Sequence, residues 1–536
     1  MNSDKPSDPK GRWWRLSTIL IAAVAIAPIV TVLLSWLLPF SEHWDHFGQT
    51  ILPKLVVNSL GLLCLVAIGT CVIGLSLGWI ISQFDFPGRR FFQFALLFPL
   101  AIPAYVIGFV YLGLTAFSGP LFTGLRSIGV GFFFDMKTIY GAAFVLVLSL
   151  YPYVYLLTKQ GFATIGHRYF EAARALGVSS SQVFFKVALP MNRPWLFVAL
   201  SLVGMETLAD FGAVSIFVVD TFSVGIYKAW YGFFSPTLAA QLASILVVIV
   251  GGIVIFDKVQ RGKRSFVSLT GLSGRRRRLH GRKAIICFGY CCTLFLLSFV
   301  IPMLQLLVWA LQLDAEIWES MLELTSNSVL IGLMVSLLVT GLCLLLVYTY
   351  RFYSRPFIWM ASQAATLGYA LPGSVLAIGL FLPLAAMDHR LADFIMNLTG
   401  TDPGLLLTGT VFAVVIGLSI RFMAVGHAQL HAAQQRVSKR IDEAAQNFGS
   451  TGIDQMKRIH IPIAWKAVAA SISLVFVDSI KEMPLTLMTR PFSWDTLSVK
   501  IFELISEGEW EMAAAPAVIL SIVGLTSLVL LGKEAK

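Results

Sequence analysis

A chain of 536 residues that is 57% hydrophobic and only 13% charged, with a mean hydropathy of +0.79, cannot keep most of its surface in water. Soluble domains carry roughly a quarter charged residues, so the sequence reads as an all-α polytopic membrane protein and excludes an ordinary soluble enzyme. The net charge of +11 then points to cytoplasmic loops, where Lys and Arg gather, before it points to nucleic acid.

The polar, basic start MNSDKPSDPKGRWWR is followed by a long apolar run without an A-x-A-like cleavage site, and is expected to lead into a retained first span. A bilayer core needs roughly 20 apolar residues per helix. Twelve candidates follow in chain order, near 16–40, 55–81, 92–117, 138–158, 194–219, 236–256, 284–312, 327–348, 356–386, 404–425, 465–488 and 512–532. The third carries Pro99 and Pro103 and is expected to be kinked. With the N-terminus in the cytoplasm, 32 of the 40 Lys and Arg residues, Arg421 at the start of the segment 421–466 among them, fall on the cytoplasmic side, which places both termini there. The run Arg275–Arg278 lies in a basic central linker, 261–283, read as a topology anchor that also meets anionic lipid. The six cysteines sit in apolar runs with no metal-ligand spacing and read as small core residues.

The two halves repeat. Asn58-Ser59 and Asn327-Ser328 each open a span, and Pro103 and Pro372 close the apolar stretches that follow, both pairs offset by 269 (327 − 58 and 372 − 103). Glu171 and Glu443 differ by 272, as do Pro190 and Pro462. The pattern predicts a duplicated unit of six spans, 1–260 and 284–536. An even number of spans makes the copies parallel repeats about an axis along the membrane normal, with a pathway at their interface.

Each half also carries a polar insert, at about 163–190 and 435–462. Both read Glu-Ala-Ala, then Gly six residues after the Glu and Pro nineteen after it: Glu171, Ala172, Ala173, Gly177 and Pro190, then Glu443, Ala444, Ala445, Gly449 and Pro462. Glu and Ala favour helix, and Gly allows the chain to turn. Ser179–Ser181 and Ser450-Thr451 can cap a second helix, whose end the proline would mark. The expectation is helix, Gly turn, helix at the cytoplasmic face.

This pattern resembles the EAA motif of permease subunits of binding-protein-dependent ABC importers, and the resemblance covers nearly the whole chain. It implies the type I permease fold and a fused, twelve-span form. It also implies two partners, a cytoplasmic ABC ATPase, expected as a homodimer, and a periplasmic or extracellular substrate-binding protein. By the same resemblance, the motif residues of each insert are expected to dock into the ATPase. LADFGAVSIF (208–217) and KEMPLTLMTRPFSWDTLS (481–498) are similar to stretches of fused ferric-iron permeases, which implies ferric iron as the substrate, with a permease for thiamine or another small solute as the alternative.

Five charges follow the inserts inside the apolar segments: Glu206 and Asp210 in the fifth, Asp478, Lys481 and Glu482 in the eleventh. At the 272 offset Glu206 corresponds to Asp478 and Asp210 to Glu482. A charge at mid-bilayer costs at least ~2.5–3.5 kcal/mol, so it faces a partner or a watery path. The five are therefore candidates for a gate or a cation-friendly lining, or for an ion pair made by Lys481. Outer loops are relatively acidic, as at Asp314, Glu316, Glu319 and Glu323, and at Glu503, Glu507, Glu509 and Glu511. They could steer a basic patch on a partner.

No G-x-x-x-x-G-K-[ST] occurs, nor HExxH nor GxSxG, so neither catalysis nor a cofactor or resident metal is expected and ATP must be hydrolysed by another chain. A secondary transporter driven by an ion gradient is the rival reading, because its coupling ion could use the same acids; two ATPase-docking inserts argue against it.

Overall fold

The computed structural model describes residues 9–129, 134–165, 173, 175–261, 276–353, 355–450, 452–492 and 494–534. Among them, nine helices are long and apolar enough to cross a bilayer, and two bent pairs bring the number to eleven. We number the elements α1 (Gly11–Leu37), α2 (Trp44–Gln83), α3 (Arg89–Ala101 bent into Ala104–Leu114), α4 (Ile139–Ile165), α5 (Phe184–Ala209), α6 (Pro236–Phe256), α7 (Arg282–Ala310), α8 (Ala315–Phe352), α9 (Gly373–Thr399), α10 (Val411–Gln435) and α11 (Ile453–Ile463 bent into Trp465–Lys481). The twelfth expected span is α12 (Ala514–Glu534), of which Ala514–Ser527 forms a shorter apolar helix.

The third span is kinked as expected, by 90° at Ile102-Pro103. Three others are built differently. The ninth starts later than expected: a helix Pro356–Ala365 and a short turn Leu367–Ala370 come first, and α9 begins only after Leu371-Pro372. The fifth and eleventh were expected to run to 219 and 488. They stop instead at Ala209 and Lys481, and the chain turns into short helices Gly212–Ile216 and Pro484–Thr489. Apolar composition alone cannot distinguish such a folded-back stretch from the end of a span. All-helical expectation has one small exception, a parallel two-residue pairing of Phe84 with Arg277 and Asp85 with Arg278. It ties the basic linker to the end of α2. The cysteines are free, but not all are core residues: Cys291 and Cys343 are buried, whereas Cys64 is exposed on α2.

Among the described residues five helical turns are wide, of the π type, and four of them end two residues before a proline: Phe47–Ile51 before Pro53, Phe184–Ala188 before Pro190, Leu296–Val300 before Pro302 and Met456–His460 before Pro462. Proline has no N–H to give to the carbonyl four residues back, and its ring crowds that carbonyl. Widening the turn to a five-residue bond, as in Leu189 N to Phe184 O, keeps the helix going. Pro190 therefore does not end a helix, as expected from sequence, but sits in the first turn of Leu189–Ala209, whereas Pro462 lies one residue before Ile463, where the helix ends and the chain bends by 82° into Trp465–Lys481.

The two halves interlock. α1 packs on α9 and on the helix Pro356–Ala365 of the second half, while α7 packs on α12 and on the bent α3 of the first. Within the first half, α2 and α4 approach closely because glycines face branched side chains: Gly69 meets Val147, Gly74 meets Val154 and Gly78 meets Thr158. Small residues let membrane helices pack backbone to backbone. A Cβ on Gly74 would lie 2.5 Å from Val154 Cβ and 2.8 Å from the backbone nitrogen of Tyr155. Gly74→Ala should cost about 1–3 kcal/mol through overpacking and lower the melting temperature in detergent. Gly61→Ala, whose Cβ would meet only Ile139 Cδ1 at 3.5 Å, should leave it within about a degree. Equal shifts in a thermal-melt assay would refute this reading of the α2–α4 contact.

Candidate functional site

The second insert is built from a helix Lys439–Asn447, capped by Ser438, whose side chain accepts from Arg440 N. Glu443, Ala444 and Ala445 all lie on this helix. Gly449 has φ +79° and ends it, since a left-handed residue closes a helix at little cost only when it is glycine. Ser450 N then donates to Ala445 O at 3.0 Å. The first insert makes the same turn: Gly177 has φ +82°, and Val178 N donates to Ala173 O at 3.2 Å. Glu171 and Ala172 lie outside the described residues. Ser179 and Gln182 form a reciprocal cap, Gln182 N to Ser179 Oγ and Ser179 N to Gln182 Oε1.

One feature of the inserts was not expected. The residue before each glycine is a large apolar side chain held out in the open, Leu176 at 84% exposure and Phe448 at 91%. They too are 272 apart, so the spacing that linked the inserts would have found them.

The five intramembrane charges converge. A cavity of about 200 Å³ between the halves is lined by Glu206, Asp210, Asp478, Lys481 and Glu482, together with Tyr105, Tyr153, Tyr369 and Arg421. Two ties cross it from one half to the other. Lys481 Nζ donates to Leu100 O at 2.9 Å, and Tyr369 Oη donates to Glu206 Oε1 at 2.9 Å.

Asp210 and Glu482 are not within the spans but at the turns just beyond them, where each caps a short helix. Val214 N donates to Asp210 Oδ1 at 3.1 Å; Leu485 N and Thr486 N donate to the two oxygens of Glu482, each at 3.1 Å. Carboxylates suit such exposed N–H groups. The turns are fastened in the same way in both halves. Ser223 Oγ donates to Asp210 O and Ser498 Oγ to Glu482 O. The Asn-Ser pairs that marked the repeat hold the loops that follow: Asn58 donates to Asp220 O and Ser59 accepts from Phe222 N, as Asn327 donates to Asp495 O and Ser328 accepts from Leu497 N.

Arg421 was counted from sequence among the cytoplasmic cations; it lies instead on the cavity. Its Nη1 donates to Leu371 O at 2.9 Å and its Nε is 3.9 Å from Glu482 Oε1. Breaking α3 and the ninth span at proline leaves carbonyls without helical partners, and in both halves a cation fills that place, Lys481 at Leu100 and Arg421 at Leu371. Among the described residues no group of three or more His, Cys, Asp or Glu side chains could hold a metal ion, so the carboxylates line the space and form no closed cage. Of the acidic residues expected outside, Glu503 is already engaged with Arg490 and Lys500.

Residues 70–260 match the family model described as "Binding-protein-dependent transport system inner membrane component". Along 98% of its length the chain is 26% identical to the Fe(3+)-transport system permease protein FbpB 2 of Haemophilus influenzae, of which the match covers 98%. It is 30% identical over 178 residues to the sulfate transport system permease protein CysT of Escherichia coli, covering 32% of this chain and 62% of that one. Over 177 residues it is 28% identical to the molybdenum transport system permease protein ModB of Escherichia coli, covering 32% of this chain and 73% of that one. The all-helical architecture, the charged cavity between the halves and a full-length match to a transport permease agree: the chain is similar from end to end to the permease subunits of binding-protein-dependent ABC importers, and is a multi-pass inner-membrane transport subunit, not an enzyme, that works with a substrate-binding protein and a separate ATPase.

Proposed function

We propose that the chain forms the pathway for ferric iron handed over by its binding protein. The observation that carries this is the acidic cavity between the halves, in a chain that matches a ferric-iron permease from end to end. Four carboxylates and three tyrosine hydroxyls against two cations, both already donating to backbone carbonyls, favour a hard cation. They disfavour oxyanions such as those named for the sulfate and molybdenum relatives. Glu206, Asp210, Asp478, Lys481 and Glu482 act as lining and gate.

The repeats are taken as 1–260 and 284–536, joined by the linker 261–283, with both termini and both inserts in the cytoplasm. Glu171, Ala172, Ala173, Gly177 and Pro190, with Glu443, Ala444, Ala445, Gly449 and Pro462, shape two handles for the ATPase. Two handles of one design suit a homodimer, which offers two equal grooves. Arg276, brought to α2 by the linker pairing, lies beside Arg89; burial and that neighbour push its guanidinium below the ordinary value. An anionic lipid headgroup would relieve the repulsion.

Proteoliposomes containing the permease and its ATPase should take up radioactive iron only when ATP and iron-loaded binding protein are both supplied. Uptake driven by a proton or sodium gradient without ATP would refute the assignment. Sulfate or molybdate uptake at the same rate would refute the cation pathway alone.

A further inference from the structure

The two handles share a shape but not a root. At the 272 offset, Asp442, Gln455 and His460 of the second insert correspond to Phe170, Val183 and Ala188 of the first. At the 269 offset, Tyr348 and Arg351 on α8 correspond to Trp79 and Ser82 on α2. Phe170 lies outside the described residues. Val183 and Ala188 are buried in an apolar cluster with Leu75 and Phe162, and Trp79 stands edge-on to Phe162 and Phe184 at 5.2 and 5.4 Å. Among the described residues these contacts at the root of the first handle are apolar.

The second root is ionic. Asp442, the residue before Glu443, is nearly buried, hydrogen-bonded by two side chains and approached by a third. Arg351 Nε donates to its Oδ2 at 2.6 Å, Gln455 Nε2 to its Oδ1 at 3.1 Å, and His460 Nε2 lies 2.8 Å from the same Oδ1. Arg351 also donates to Gln434 O and Val437 O, at 2.8 and 3.0 Å, at the end of α10. Tyr348 stands edge-on to His460 at 4.9 Å, where Trp79 meets Phe184 in the first half. One carboxylate thus joins the handle to α8, to α10 and to the wide turn that leads into α11. α10 carries Arg421 to the cavity, and α11 carries Asp478 and Lys481.

We infer that Asp442 is a positioning residue that makes the second handle a charge-locked lever on the cavity, whereas the first handle turns on a compliant apolar joint. Apolar contact is non-directional and tolerates sliding; the two charge-assisted hydrogen bonds from Arg351 and Gln455 fix distance and angle. The ATPase stroke therefore enters the pathway mainly through the second half. The inference rests on the reading of the inserts as ATPase handles.

The test uses the assembled importer in proteoliposomes, with iron-loaded binding protein, and reads ATPase co-purification, ATP hydrolysis and iron transported per ATP. Asp442→Asn keeps the shape but removes the charge. It should leave co-purification and hydrolysis within about twofold and cut iron per ATP about 10-fold. Asp442→Glu should restore part of that ratio, and Val183→Ala at the first root should change it less than about twofold. An unchanged ratio in Asp442→Asn, an equal loss in Val183→Ala, or loss of the ATPase from the Asp442→Asn complex would each overturn the lever. Retention of the ATPase at wild-type levels by the double variant Leu176→Ala with Phe448→Ala would count instead against the handle tips as its docking surface, and so against the reading on which the lever rests.

Discussion

Lys481→Met should lower ATP-driven uptake at least 10-fold while the protein still reaches the membrane in normal amount. Lys481 does three things at once. It donates across the cavity to Leu100 O at 2.9 Å, it stands one helical turn from Asp478, and it contributes one of the two cations among the cavity-lining residues. Methionine matches the length of the side chain and removes all three. A carbonyl at the break in α3 then has no donor, and Asp478 loses its nearest counter-charge. Leaving a buried carbonyl without its donor costs about 1–3 kcal/mol and the carboxylate left uncompensated adds to that, enough to shift the balance between two arrangements of the halves by about an order of magnitude or more. Tyr369→Phe removes the other cross-tie, the 2.9 Å bond to Glu206, but leaves no missing charge. It should cost about 1 kcal/mol and reduce uptake only several-fold. Iron uptake and ATP hydrolysis, measured on the same vesicles, separate the two variants. Wild-type uptake in Lys481→Met would show that the cavity plays no part in gating.

The sequence read the duplication well because its markers are structural in both copies. Asn58-Ser59 and Asn327-Ser328 recur since each pair fastens the loop after a folded-back helix, a role that no neighbouring residue can take over without the same donors and acceptors. The glycine turns recur because positive φ leaves little other choice. Span ends were misread where apolar composition and membrane crossing diverge. LADFGAVSIF and KEMPLTLM are greasy, yet each turns back after its acid, because Asp210 and Glu482 offer the cap that starts a new helix.

Arg421 was misplaced for the opposite reason. A cation near the end of an apolar run looks like a loop residue by hydropathy, although the apolar stretch FMAV that follows it was a sign that the helix continued. The three tyrosines gave no signal at all, since an aromatic in a membrane helix carries no information about which side faces a cavity. The ionic root at Asp442 joins residues 351, 442, 455 and 460, and no local pattern links them. It becomes visible only when the second half is set against the first.

The handle tips carry the other large expectation. Phe448 and Leu176 stand 91% and 84% exposed on inserts otherwise rich in polar residues, at matched positions directly before the turn glycines. A lone exposed apolar residue needs no explanation, but two at one repeat position, both large, are shaped for a partner's pocket. An aromatic anchor buried at an interface is worth about 2 kcal/mol or more on truncation, or about 30-fold in affinity. Phe448→Ala should therefore weaken ATPase binding by about that factor, and Leu176→Ala by somewhat less, because a smaller area is lost. Both handles engage one ATPase dimer, so the second contact forms at high effective concentration once the first is made. The double variant should lose far more than either single one, and the ATPase should no longer co-purify. Val72, which is 64% exposed on the outer face of α2, is the control, and its replacement by alanine should change nothing in the same pull-down. Retention of the ATPase by the double variant at wild-type levels would mean that these side chains meet lipid headgroups or water, and that docking depends on some other surface of the inserts.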